Sequence, residues 1–181
     1  MKLEKGRPEN TTNRLTQEIK VYDFLDSINV EYERVDHSPA MTMELCEEID
    51  LTLGAPICKN LFLTNRQQTD FYLLLTPGNK KFKTKNLSAQ IGASRLSFAT
   101  AEHMEKYLST TPGSASVLGL INDAENKVQL IIDEDVLGQE YIGCHPCINT
   151  SSLKIKTDDM VDKILPALKH SFIAVALPSE E

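Results

Sequence analysis

Lys59 and Asn60 stand side by side in an otherwise apolar run, Ile57-Cys58-Lys59-Asn60-Leu61-Phe62-Leu63. As a strand, this run carries Ile57, Leu61 and Leu63 on one face and Cys58 and Phe62 on the other, so both faces are apolar. A lysine there is costly unless its ammonium reaches water or an anion. It is either an edge-strand lysine that snorkels or one aimed into a pocket for a negatively charged group. In a regular strand Asn60 points away from Lys59; a bulge or a strand end at this pair would bring both into one pocket.

Cys144-His145-Pro146-Cys147 is the other conspicuous cluster. A C-x-x-C is a redox pair or half of a zinc site. A redox pair needs a helix N-terminus to stabilise its thiolate, but the residues that follow, Ile148 to Ile155, read as loop and strand. Zinc needs two more ligands, and Cys46, Cys58, His37 and His103 show no paired spacing. That leaves His145, either a group that orients a water or polar substrate near neutral pH or a turn histidine bonded to backbone. Gly113-Ser114-Ala115-Ser116 is a loop without bulky side chains. Its amides are open to an oxyanion or carbonyl, unless it is an ordinary tight turn. Asp133, at the end of a strand rich in Ile and Leu, reads as a cap. No acid pair has the spacing of a glycosidase, and no Ser/His/Asp set stands out, so any chemistry is positioning and polarising.

These residues need elements to hold them. Residues 1–13 read as a flexible polar leader and 14–181 as a single domain. A helix is predicted from Thr16, its possible cap, to about Ile28, and an alternating strand over Val30–Val35. A second helix follows, capped by Thr42. The Lys59 strand and Asp70–Thr76 form a hairpin across a polar turn. Thr84–Ile91 is a helix closed by Gly92, and Thr100 caps another to about Leu108. Val117–Ile121, Val128–Asp133, Tyr141–Gly143, Ser151–Ile155 and Phe172–Ala176 read as strands, with a helix capped at Thr157 and stopped or kinked at Pro166. The sum is an α+β domain around a mixed, mostly antiparallel sheet, partly barrel-like, with surrounding helices.

Of the 181 residues, 41% are hydrophobic and 25% charged, and the net charge is −7. That balance argues against nonspecific nucleic-acid binding as the main task. Residues 59–106, however, hold eight Lys or Arg against three acids. A local basic patch on an acidic body suits a specific phosphate-bearing partner. The N-terminus lacks a signal-peptide core and no apolar run is long enough for a membrane span, so a cytoplasmic protein with reduced cysteines is expected.

Taken in order, Pro56-Ile57-Cys58-Lys59-Asn60-Leu61, Pro77-Gly78-Asn79-Lys80-Lys81, Pro112 to Gly119, Ile132-Asp133 and Gly143 to Thr150 resemble the YbaK-like aminoacyl-tRNA editing deacylases. The resemblance covers roughly Leu15 to Ala176 and is nearest to the freestanding prolyl-tRNA editing proteins, which hydrolyse alanyl-tRNA for proline. It implies hydrolysis of the ester between a wrong amino acid and the terminal ribose of tRNA, without metal or organic cofactor. It implies Lys59, Asn60 and His145 as catalytic, and Gly113, Ser114, Ala115, Ser116 and Pro146 at the aminoacyl group. The acceptor stem is the expected partner of Lys80, Lys81, Lys83 and Lys85, and prolyl-tRNA synthetase is a further candidate partner. It gives Cys144 and Cys147 no role. A cysteinyl-tRNA deacylase and a non-catalytic module binding tRNA or a synthetase are the rival readings.

Overall fold

Two kinds of strand are written into the chain. Residues 30–35 mix apolar with charged side chains, whereas 71–76 and 128–133 are apolar almost throughout. The computed structural model, which describes residues 1–179, builds a separate sheet from each kind. In chain order the first elements are β1 (Leu3–Lys5), α1 (Thr16–Ser27), β2 (Tyr32–Asp36), α2 (Met43–Leu53), β3 (Lys59–Thr64) and β4 (Phe71–Thr76). Next come α3 (Thr84–Ile91), β5 (Ser97–Phe98), α4 (Ala101–Leu108), a 3-10 helix (Val117–Asn122), β6 (Val128–Asp133) and α5 (Glu134–Leu137). The rest is β7 (Tyr141–Cys144), β8 (Ser151–Lys156), α6 (Thr157–Asp159), a π-helical stretch (Met160–Ile164), α7 (Leu165–Leu168) and β9 (Phe172–Val175).

One sheet has the order β1-β2-β8-β7 and is antiparallel throughout. The other has the order β5-β3-β4-β6-β9. There β3 pairs antiparallel with β4 and β5, while β4–β6 and β6–β9 are parallel. The second sheet is buried on both faces, which explains its unbroken apolar strands. Phe62, Leu73, Leu75, Leu130 and Ile132 face the large core, which also takes residues from α1 and from β7 and β8. Their neighbours Leu63, Leu74 and Ile131 face a smaller core closed by Leu87 of α3.

The predicted single, partly barrel-like sheet is therefore corrected to two sheets that do not close. They meet at one seam, an isolated parallel bridge between Ile57 and Gly143, where the Cys58 amide donates to the Gly143 carbonyl at 2.9 Å. The approach demands glycine: a Cβ on residue 143 would lie 2.9 Å from the Pro56 carbonyl oxygen. The run 57–63 thus belongs to both sheets, touching β7 first and then becoming β3.

Three local expectations also change. Residues 3–5 of the supposed flexible leader form β1 against β2. Val117–Ile121 is not a strand but part of the 3-10 helix; the Ser116 hydroxyl accepts from the Leu118 amide, and Gly119 backs onto the Leu108 carbonyl. A short apolar run cannot by itself tell a strand from a buried helical turn. Finally, Thr16 lies within α1, Thr157 caps nothing, and the last helix widens into a π-helical stretch and continues past Pro166 to Leu168.

Candidate active site

The seam brings Asn60 and His145 to one groove. Strand β3 leaves the seam at Lys59, and β7 ends at Cys144, so each sheet delivers its polar residue just beyond the bridge. The groove, about 470 Å³, is lined by Lys59, Asn60, Gly113, Ala115, His145 and the apolar Phe98 among others. Among the described residues its lining includes no acid. Hollows of 480 and 540 Å³ elsewhere hold none of Lys59, Asn60 and His145, so composition rather than size singles this groove out.

Asn60 lies on the same strand face as Cys58 and Phe62. Its Nδ2 donates to the Cys58 carbonyl at 3.2 Å, which leaves Oδ1 as the free acceptor. Among the described residues that oxygen is buried without a partner. An unsatisfied buried acceptor costs about 1–3 kcal/mol, a penalty that a ligand carrying an N–H donor relieves. Lys59 sits at the first position of β3. Its register with Thr76 is regular, so the strand end rather than a bulge lets both side chains line the groove. The Lys59 ammonium donates to the Lys80 carbonyl at 2.8 Å. Two of its three N–H donors remain for another acceptor.

His145 is oriented from behind. Its Nδ1 lies 2.8 Å from the Ser151 carbonyl oxygen. A ring nitrogen facing a carbonyl must carry the proton, so Nε2 is the acceptor in the neutral ring. Burial lowers the His145 pKa below its ordinary value, and the neighbouring His37 ring, 6.2 Å away between centroids, adds to the effect, while the bond to Ser151 opposes it. The support continues downward. The Ser151 hydroxyl bonds Asp36, which also accepts from Arg14 at 2.8 Å and from Arg34 at 3.2 Å. Burial pushes the Asp36 carboxyl up, but these donors together hold it far below the usual range. The Ser152 hydroxyl lies 2.8 Å from His37 Nε2.

The loop residues divide. Gly113, at φ 92°, and Ala115 line the groove. Among the described residues their amides find no hydrogen-bond partner. Ser114 is buried, its hydroxyl closing the turn by donating to the Thr111 carbonyl at 2.9 Å and accepting from the Thr111 amide. Ser116 is likewise internal and caps the 3-10 helix. Pro146 is buried outside the groove lining. These three side chains, expected at the aminoacyl group, lie outside the groove lining.

Lys80, expected at the acceptor stem, is turned inward. It is a buried cation, with Nζ 2.8 Å from Asp133 Oδ2, from Asp135 Oδ2 and from the Leu177 carbonyl. Asp133 caps α5 as expected, accepting from the Asp135 amide, and also accepts from Thr76. Lys81, Lys83 and Lys85 are exposed. Cys144 and Cys147 are fully buried, and burial raises both thiols, Cys147 to about 12. Neither is poised as a redox thiolate.

Sequence reasoning missed Phe98 and Met104 in the lining and the layer of Asp36, Arg14 and Ser151 behind His145. His37 was visible only as a spare zinc ligand. Its position straight after an alternating strand was the available signal.

Residues 37–163 match the aminoacyl-tRNA editing domain family. The prolyl-tRNA editing protein ProX of Acetoanaerobium sticklandii is 32% identical over 84% of this chain and 93% of its own. The prolyl-tRNA synthetase associated domain-containing protein 1 of Danio rerio is 26% identical, over 82% of this chain and 81% of its own. A crystal structure described as a candidate trans-editing enzyme for prolyl-tRNA synthetase superposes with a TM-score of 0.67, covering 92% of this chain and 99% of that one. At 16% identity it speaks to the fold alone.

Proposed function

The chain belongs to the aminoacyl-tRNA editing domain family, and from that premise we propose that it is a trans-editing deacylase that hydrolyses alanyl-tRNA charged on the proline tRNA. The observation that carries this reading is the buried, unpartnered Asn60 Oδ1 beside a neutral histidine and a lysine in one acid-free groove. An aminoacyl ester offers a partner for each. The substrate α-ammonium donates to Asn60 Oδ1. The free Lys59 donors meet the terminal phosphate. The Gly113 and Ala115 amides face the ester carbonyl as negative charge develops on its oxygen. His145 Nε2 accepts a proton from the attacking water. Water adds to the acyl carbon, the acyl–oxygen bond breaks, the ribose oxygen takes a proton, and free alanine leaves. The ester is already activated, so no stronger nucleophile is needed.

Discrimination is steric. Ala115 and Gly113 leave room for a methyl side chain, and the proline ring is excluded by clash. Exposed Lys81, Lys83 and Lys85 are the groups offered to acceptor-stem phosphates. The activity belongs with translation in the cytoplasm, receiving substrate from prolyl-tRNA synthetase.

Incubating the protein with labelled alanyl-, cysteinyl- and prolyl-tRNA tests the reading. Loss of the alanyl ester alone is expected. Preferential loss of cysteine moves the substrate, and binding without ester loss in any arm leaves a non-catalytic module. Enlarging the loop with Ala115→Val should cut alanine removal roughly tenfold or more, the size of a methylene-scale steric effect; unchanged turnover contradicts the sieve.

The His145 pKa sets a pH dependence. Below it Nε2 is protonated and cannot accept a proton; above it the lone pair is free. Because the folded pKa is lowered, activity should persist below the ordinary histidine value of about 6.5 and fall only under more acidic conditions. A turnover-versus-pH profile checks this. An acid limb at or above about 6.5, or one that survives in His145→Gln, removes His145 as the titrating group.

A further inference from the structure

Phe98 is 62% exposed at the lip of the groove, although it is among the largest apolar side chains in the chain. The strand that carries it, β5, is only two residues long, yet it is firmly held. Phe98 pairs with Leu63 and Ser97 with Thr64, and the Ala99 amide donates to the Phe62 carbonyl at 2.9 Å. The ring is also fixed. It makes an edge contact with Phe82, with centroids 6.3 Å apart and planes at 71°. A rigid, exposed aromatic is a poor solution for stability but suits a planar ligand.

Three further facts indicate which ligand. The groove that Phe98 shares with Asn60 and His145 has Lys59 as its cation and no acid in its lining. Phe82, the ring that braces Phe98, lies in sequence between exposed Lys81 and Lys83, and Lys85 and Arg95 are exposed on the flanking segments. The aromatic lip therefore stands between the polar groove and the basic stretch. Single-stranded RNA ends are bound by such an order of groups: bases stack on aromatic rings while cations follow the phosphates.

We propose that Phe98 is the stacking platform for the unpaired 3′-terminal base of the tRNA, and that it sets the depth to which the ester enters the groove. The inference rests on the deacylase reading above. The stacked base fixes the terminal ribose, and so places the acyl carbon between Asn60 and His145. Phe98 contacts the base and no reacting atom.

The test measures deacylation of alanyl-tRNA by wild type, Phe98→Ala, Phe98→Leu and Phe98→Tyr, with the intact 3′ end and with an abasic terminal nucleotide. Stacking of one base is worth about 1–3 kcal/mol, or about 5- to 150-fold. Phe98→Ala is expected to lose kcat/KM in that range on the intact substrate, mainly through KM. Phe98→Leu should behave like Ala, and Phe98→Tyr like wild type. On the abasic substrate wild type should fall by the same factor, and Phe98→Ala should fall no further. A Phe98→Ala variant with wild-type KM, a Leu variant that restores binding, or an abasic penalty that persists in Phe98→Ala overturns the platform. Wild-type turnover of intact alanyl-tRNA is the control on the underlying reading. Its absence overturns both proposals, whereas its presence with any of those results overturns the platform alone.

Discussion

Lys59→Ala is expected to lower kcat/KM for alanyl-tRNA deacylation by about 10- to 100-fold, the worth of a lost hydrogen bond to a charged group. The fold should survive. Lys59 is half-buried at the end of β3, and its ammonium makes a single hydrogen bond, to the Lys80 carbonyl. Losing that one bond costs about 1 kcal/mol. Activity and stability should therefore separate: turnover collapses while the melting temperature moves by a few degrees. Lys59→Arg is expected to recover only part of the rate, since a planar guanidinium does not reproduce a compact ammonium held on one carbonyl. Turnover within about threefold of wild type in Lys59→Ala would remove this residue from the mechanism.

The opposite pattern is expected for its neighbour in space. In Lys80→Met the Asp133 carboxylate stays buried, at 1% exposure, without its cation. Breaking a buried pair from one side costs about 3–5 kcal/mol. For a chain of this size that lowers the melting temperature by roughly 10 °C. The contact with Asp135 adds little, because that carboxylate is 62% exposed. Adding Asp133→Asn should return part of the loss, since the amide keeps its cap and sheds the stranded charge. Thermal unfolding of the two variants decides this; a shift under about 2 °C in Lys80→Met means that Lys80 is not a structural cation. The salt dependence of tRNA binding should be unchanged by any Lys80 substitution that still folds, and weaker in Lys81→Ala and Lys85→Ala.

That contrast shows what the sequence could carry. Pro77-Gly78-Asn79-Lys80-Lys81 presents its two lysines alike, in a turn, with the same charge. Only the chain's return through β6 and the C-terminal residues places Asp133 and Leu177 around one of them. Elements defined by local chemistry were legible: α3 ends at Gly92 in the left-handed region, Thr42 and Thr100 cap their helices, and the 59–64 and 71–76 hairpin has the expected pairing. Apolar runs were legible as buried but not as strand or 3-10 helix, which is where Val117–Ile121 went astray. At the site, Lys59, Asn60 and His145 stood out because polar residues in apolar surroundings demand a reason. The small loop was legible as a unit but not residue by residue. Ser114 and Ser116 turn inward to satisfy the loop's own backbone, and no pattern in four small residues announces that. Phe98 gave no signal of its own in the sequence, since exposure is a property of the fold.

The seam between Ile57 and Gly143 has a consequence for when this protein becomes active as it folds. Neither sheet holds both Asn60 and His145, and the residues that join the sheets are far apart in the chain. A contact of that kind is closed late, because the entropy of a long loop must be offset before it forms. A nascent or partly opened chain can carry a complete β3–β4 hairpin and a complete β7–β8 pair and still have no hydrolytic groove. On the proposed deacylase reading, Asn60 and His145 face one substrate only once both sheets have docked at this seam, so the proposed activity waits on the last long-range contact to form.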